Sequence, residues 1–180
     1  MTEKEKYEKL AQIGYFNVGP CNSYKESIAI LINQNKVKNF IDFGCGRGLL
    51  VEYIKKNTNA NSYGVDIQLK AITSPSNIYY ESEIKDFTSN IKYEVCTCFD
   101  VLEHIQEQNI IESLKAIRNV CSGLFVATIS LIPDIQGKKI NEILHICLKP
   151  KEWWLKQIIE AGFIIIYKEN NLSQLFVMCE

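Results

Sequence analysis

Residues 41–57 read IDFGCGRGLLVEYIKKN. An apolar run carrying one acid, Asp42, leads into three glycines, Gly44, Gly46 and Gly48. Glycines there let the backbone turn tightly and approach a ligand closely. A second acid, Asp66, stands near the end of SYGVDI about 20 positions later, a spacing that suits a carboxylate accepting the hydroxyls of a ribose. The turn departs from the dinucleotide pattern G-x-G-x-x-G. The third glycine would fall at position 49, where Leu49 stands, and the spacing is G-x-G-x-G. A pyrophosphate would have no use for Asp42. A ligand carrying an ammonium or a sulfonium would, because opposite charges attract strongly in a partly dry site.

A second set of titratable groups lies further on. FDVLEHI (99–105) holds Asp100, Glu103 and His104, and His145 is the only other histidine of the chain. All four are candidates for a proton acceptor. Each also has a plainer reading: Glu103 and His104 open a helix, where an acid favours the positive end of the dipole, and His145 stands in a long connection where a surface histidine is ordinary. The seven cysteines (Cys21, Cys45, Cys96, Cys98, Cys121, Cys147 and Cys179) include no C-x-x-C. Cys96 and Cys98 alternate along a strand-like run and point to one face. With two histidines to supplement them, no metal site is expected, and they read as small buried hydrophobes of a reducing compartment.

The elements that position these residues alternate. Residues 1–12 read as a charged helix and 14–22 as a loop marked by Gly14, Gly19 and Pro20. Asn22 or Ser23 caps a second helix with Tyr24, Ile28, Leu31 and Ile32 on its apolar face. Strands are expected over 38–43, 62–67 and 78–82, within 93–102, and over 123–130. Helices are expected over 49–56 and 103–120, the latter with Ile111, Leu114, Ile117 and Val120 on one side. After a long connection, 131–149, Pro150 sits at the start of a helix lined by Trp153, Trp154, Ile158 and Ile159 and ended by Gly162. The runs 163–170 and 173–180 close the chain as two strands. Their link is too short for a helical crossover, so they pair antiparallel. The pattern implies an α/β fold: a mainly parallel sheet of seven strands, covered on both faces, whose last strand is reversed.

Bulk properties narrow the function. The chain has 180 residues, 47% of them hydrophobic, and a formal net charge of -1. One domain is expected, with residues 1–37 as N-terminal helices and a lid packing on a core of 38–180. No basic run advertises nucleic acid. No apolar run reaches the roughly 20 residues that span a bilayer. The charged N-terminus lacks the apolar core of a secretory signal, so a cytoplasmic protein is expected, a monomer or a homodimer.

DFGCGRG resembles the first motif of class I S-adenosylmethionine-dependent methyltransferases, GVDI their second, and FDVLEHI their motif after strand four. The resemblance covers roughly 38–180 and implies their Rossmann-like three-layer sandwich and their cofactor. It implies that Asp42, Gly44, Cys45 and Gly46 surround the methionine part of that cofactor, that Asp66 binds the ribose, and that Ile67 packs near the adenine. Asp100 would lie beside the cofactor, facing the acceptor. Glu83, followed by Ile84, is the candidate for meeting the adenine amine, with Glu81 and Asp86 as alternatives. His145, His104 and Asp100 are then the candidate catalytic groups, with Tyr15, His145 and Trp153 around the acceptor. Trp153 and Trp154 cannot share a helical face, so one belongs to the core. Tyr15 and Phe16 would form a lid.

The expected activity is methyl transfer to a small polar acceptor. The segment 144–163 is similar to methyltransferases found near polysaccharide genes, which points to a sugar, nucleotide-sugar or surface-glycan precursor. A cofactor-binding protein without activity and a nicotinamide-dependent oxidoreductase are the competing readings.

Overall fold

A computed structural model describes residues 2–14, 21–72 and 78–180, without the side chains of Cys21 and Asn22. Helix α1 (Glu3–Gln12) and α2 (Cys21–Gln34) precede the first strand, β1 (Asn39–Phe43). Then come α3 (Leu49–Asn57), β2 (Asn61–Asp66), β3 (Tyr79–Glu81) and β4 (Tyr93–Phe99). The chain ends with α4 (Ile110–Val120), β5 (Cys121–Ser130), α5 (Lys151–Glu160), β6 (Ile165–Asn170) and β7 (Gln174–Cys179).

The strands form one sheet in the order β3-β2-β1-β4-β5-β7-β6. All neighbours from β3 to β5 run parallel; β7 is antiparallel to both β5 and β6. Period-two alternation divides the core. On β4, Val95 and Phe99 pack with Phe40 of β1 against Ile28 and Ile32 of α2 and Leu50 and Ile54 of α3. Cys96 and Cys98 point the other way, with Ile41 and Phe43, toward Leu114 and Ile117 of α4 and Trp154 and Ile158 of α5. The result is the three-layer α/β/α sandwich with a Rossmann-like strand order.

The winding reverses between β1 and β4, and ligands of such sheets bind beyond the carboxyl ends of the strands at that switch. Helix α1 covers this end. A Thr2–Glu5 capping box starts it. It is tied down by ion pairs from Lys4 to Glu81 and from Glu8 to Lys70, and by the buried Lys6, whose Nζ donates to the Ile143 carbonyl at 3.1 Å.

Three local expectations change. Helix α2 already includes Asn22 and Ser23, so neither caps it. Residues 102–109 form two short 3-10 turns, Leu102–His104 and Glu107–Asn109, and the α-helix starts only at Ile110. Glu103 and His104 are therefore not the first turn of a helix, and no helix dipole accounts for the acid. On α5, Trp154 and Ile158 are buried while Ile159 is 59% exposed and faces away from the core. Tyr15, Phe16 and the lid expected from them lie outside the described residues.

Candidate functional site

The turn after β1 is held from β2. The N–H groups of Gly44 and Cys45 both donate to the Val65 carbonyl, at 2.7 and 3.0 Å. Gly44 has φ +73°, and a Cβ there would lie 2.2 Å from a Val101 methyl, so both its conformation and the space around it require glycine. Asp66 completes the anchor: Oδ2 accepts from Gly46 N–H at 2.8 Å and Oδ1 from Gln68 N–H at 3.1 Å.

Asp42 and Asp66 are both buried, 4% and 8% exposed. Asp42 accepts a 2.6 Å hydrogen bond from the Thr97 hydroxyl, its register partner on β4. Burial pushes the Asp42 carboxyl up to about 7, against the Thr97 hydrogen bond and helped by the nearby Asp66. Burial likewise raises Asp66 to about 6, opposed by the N–H groups of Gly46, Gln68 and Ile67. Among the described residues no lysine or arginine forms an ion pair with either acid. The pair is thus a buried anionic site that a cationic ligand would complete. The Cys45 thiol beside them is buried and pushed well up, so it stays neutral.

These groups line a cavity of about 780 Å³ at the carboxyl ends of β1, β2 and β4. The turn residues Asp42, Gly44, Cys45 and Gly46 line it, as do Asp66 and Ile67, the pair Glu83 and Ile84, and Asp100. Glu81 also lines it, but its carboxylate is engaged by Lys4 and by Leu69 N–H at 3.3 Å. Asp86 pairs with Lys85 at 2.6 Å and lies outside.

A family profile described as a methyltransferase domain matches residues 22–176. The chain belongs to the class I S-adenosylmethionine-dependent methyltransferases. It is 30% identical to the ubiquinone biosynthesis O-methyltransferase of Actinobacillus pleuropneumoniae serotype 7 (strain AP76), over 72% of this chain and 64% of that protein, so the match spans less than two thirds of that relative. It is 28% identical to the protein of the same name from Glaesserella parasuis serovar 5 (strain SH0165), over 97% and 90% of the two chains. The crystal structure of an S-adenosylmethionine-dependent methyltransferase from Clostridium acetobutylicum ATCC 824 superposes with a TM-score of 0.71 at 15% identity, covering 97% of this chain and 98% of that one.

The cofactor of these methyltransferases fits the cleft, because its sulfonium and ammonium supply the positive charge that Asp42 and Asp66 lack. Bound there, it supplies an electrophilic methyl group.

The far end of the methyltransferase cleft is built from the 3-10 turn after β4 and from the connection 131–149. Asp100 has φ +53°; its Oδ1 accepts from the Thr128 hydroxyl at 2.7 Å and from Gln174 Nε2 at 2.9 Å. Glu103 is fully buried. Its Oε1 accepts from Ser130 N–H at 2.9 Å, and its Oε2 has no partner among the described residues. Burial, and then the charge of Asp100, push Glu103 up to about 8. His104 Nδ1 meets the Leu144 carbonyl at 3.1 Å, and His145 Nδ1 meets the Ile132 carbonyl at 2.6 Å. A carbonyl can only accept, so each Nδ1 carries a proton, and in the neutral ring the lone pair is on Nε2. The two rings stand edge to face with centroids 4.7 Å apart. Burial and the neighbouring His145 hold the His104 imidazole down to about 4.

The structure thus brings Asp100, His104 and His145 to the same cleft as the cofactor residues. Trp153, expected beside the acceptor, does not line it; its ring packs edge to face on Trp154 under the Lys149 ammonium. Sequence reasoning missed Thr97, Ser130 and Tyr7. Thr97 is legible in hindsight: it alternates with Cys96 and Cys98 and so shares the face of Asp42. Tyr7, edge-on to His104 at 5.8 Å, reaches the cleft only through the docking of α1.

Proposed function

We propose that the chain transfers the methyl group of S-adenosylmethionine to a hydroxyl oxygen of a small molecule held at the Glu103–His104–His145 end of the cleft. The observation that carries this is the pair of imidazoles whose Nδ1–H groups are committed to backbone carbonyls, which leaves Nε2 of each ring for an acceptor, with the buried Glu103 carboxyl within 4.8 Å. Such a group attracts and polarises an O–H. The naming of the relatives as O-methyltransferases supports the same chemistry.

On this reading Asp42 and the glycine turn fix the donor, Asp66 holds turn and ribose together, and α1 with Tyr7 closes the acceptor end against water. Fixing both reactants in line provides most of the acceleration that such transfer needs. The sugar, nucleotide-sugar or glycan acceptor expected from 144–163 gains nothing from the site. Trp153 lies outside it.

The test is methyl transfer from S-adenosyl-[methyl-13C]methionine to a panel of phenols, catechols, sugars and amines, read by 13C NMR. Methoxy products from phenols or catechols are expected; N-methyl products alone would contradict the proposal.

A further inference from the structure

We propose that Glu103, His104 and His145 bind a divalent transition-metal ion with positions left open for the acceptor's oxygen. The site stands on its own geometry; its part in methyl transfer rests on the function proposed above.

Each of the three residues offers one ligand atom, and these atoms lie within 4.8 Å of one another. One ion can reach all three at the usual metal–ligand lengths of about 2.0–2.2 Å after small side-chain adjustments. Both histidines carry the outer contact typical of metal-binding imidazoles, an Nδ1–H donated to a carbonyl that fixes tautomer and ring orientation.

Glu103 supplies the independent argument. Its side chain is fully buried, one oxygen is held by Ser130 N–H, and the other has no donor among the described residues. A buried carboxyl oxygen without a partner is costly, and a cation that displaces the carboxyl proton would satisfy it. The segment that carries His145 is fastened to the Glu103 turn by Cys147 N–H on the Glu103 carbonyl, at 3.0 Å, and to α1 by Lys6 on Ile143. The three ligands are therefore held relative to one another by backbone contacts.

Two imidazoles and one carboxylate suit zinc, manganese, iron(II) or cobalt better than magnesium or calcium, which prefer all-oxygen sites. Three protein ligands leave room for an acceptor oxygen. Coordinated there, the hydroxyl gives its proton to solvent, and its oxygen then forms the new O–CH3 bond. The electron pair of the broken S–CH3 bond stays on sulfur, and the ion does not change oxidation state.

The experiment uses the full chain stripped of metal by chelation, titrated calorimetrically with Mn2+ and Co2+. One ion per chain is expected. The Co2+ spectrum should lack the sulfur-to-metal charge-transfer band that thiolate ligands give, which separates this site from the cysteines. His145→Ala should weaken binding by about 100-fold or more. Glu103→Gln keeps the bond from Ser130 but cannot ionise to meet the ion, and should do the same. Affinity for S-adenosylhomocysteine, measured in parallel, should be unchanged in both variants and reports that they are folded. No ion binding, binding retained in both variants, or a thiolate band would overturn the site. Ion binding with methyl transfer indifferent to chelation would overturn its role. A chain that binds the ion and transfers no methyl group to any hydroxyl would instead count against the function proposed above.

Discussion

The Asp42 carboxylate and the Thr97 hydroxyl lie 2.6 Å apart on adjacent, parallel strands, in register and on the face of the sheet that carries α2 and α3. This contact keeps a buried acid in place with no lysine or arginine paired to it among the described residues. Asp42→Ala should weaken S-adenosylmethionine binding by about tenfold or more, roughly 1.4 kcal/mol, by calorimetry. A folded variant with unchanged affinity would show that the acid does not serve the ligand.

Binding should also depend on pH. Asp42 and Asp66 are raised to about 7 and about 6 in the free protein, and a cationic ligand binds their ionised forms. Binding therefore releases protons, up to one from Asp42 below about pH 7 and a second from Asp66 below about pH 6, so affinity rises with pH from 5.5 to about 7 and then levels. Near pH 8 the ligand's own α-amino group, at roughly 7.7–8.0 in model compounds, begins to lose its charge. The thiols of Cys45 and Cys98 are pushed well up and do not titrate in this range. Calorimetry at three pH values checks the slope; affinity that falls as pH rises from 5.5 to 7 would contradict it.

Asp66 has a structural duty besides the ribose. Asp66→Ala leaves the buried N–H groups of Gly46 and Gln68 without acceptors. The expected cost is about 1–3 kcal/mol of stability, seen as a lower Tm even without ligand. Loss of affinity at unchanged Tm would confine Asp66 to the ligand.

Gly44→Ala should destabilise the chain twice over, by the clash with Val101 and by a left-handed backbone. Adding Val101→Ala removes the clash and should recover only part of the loss, because the φ strain of about 1–2 kcal/mol remains. Denaturant unfolding of the single and double variants separates the two contributions; full recovery would mean that the backbone relaxes.

The adjacent tryptophans separate core from surface. Trp154 is fully buried and Trp153 only partly, so Trp154→Ala should cost about 3–5 kcal/mol. Ile159→Ala, at an exposed position of the same helix, should stay within about 0.5 kcal/mol. Urea midpoints give both values, and equal losses would refute this assignment of faces.

The sheet was largely legible because its signals are local. Gly44, Gly46 and Gly48 mark the turn, Cys96 and Cys98 alternate along β4, and the short link after Asn170 forces β6 and β7 antiparallel. The start of α4 was not, because the periodicity of Ile111, Leu114 and Ile117 runs smoothly into FDVLEHI, although Glu103 turns inward to meet Ser130. The approach of His104 and His145 is still less local. It depends on an irregular connection folding back so that Leu144 and Ile132 orient the two rings, and no periodicity encodes that.

The central claim is that one cleft holds the donor on the glycine turn and the acceptor at the histidine end. A co-crystal structure with S-adenosylhomocysteine tests it most directly. The homocysteine part should lie along Gly44–Gly46 near Asp42, the ribose hydroxyls on Asp66, and the sulfur should face Glu103, His104 and His145. A sulfur directed away from those three residues, or a ligand bound outside the cleft, would contradict the account.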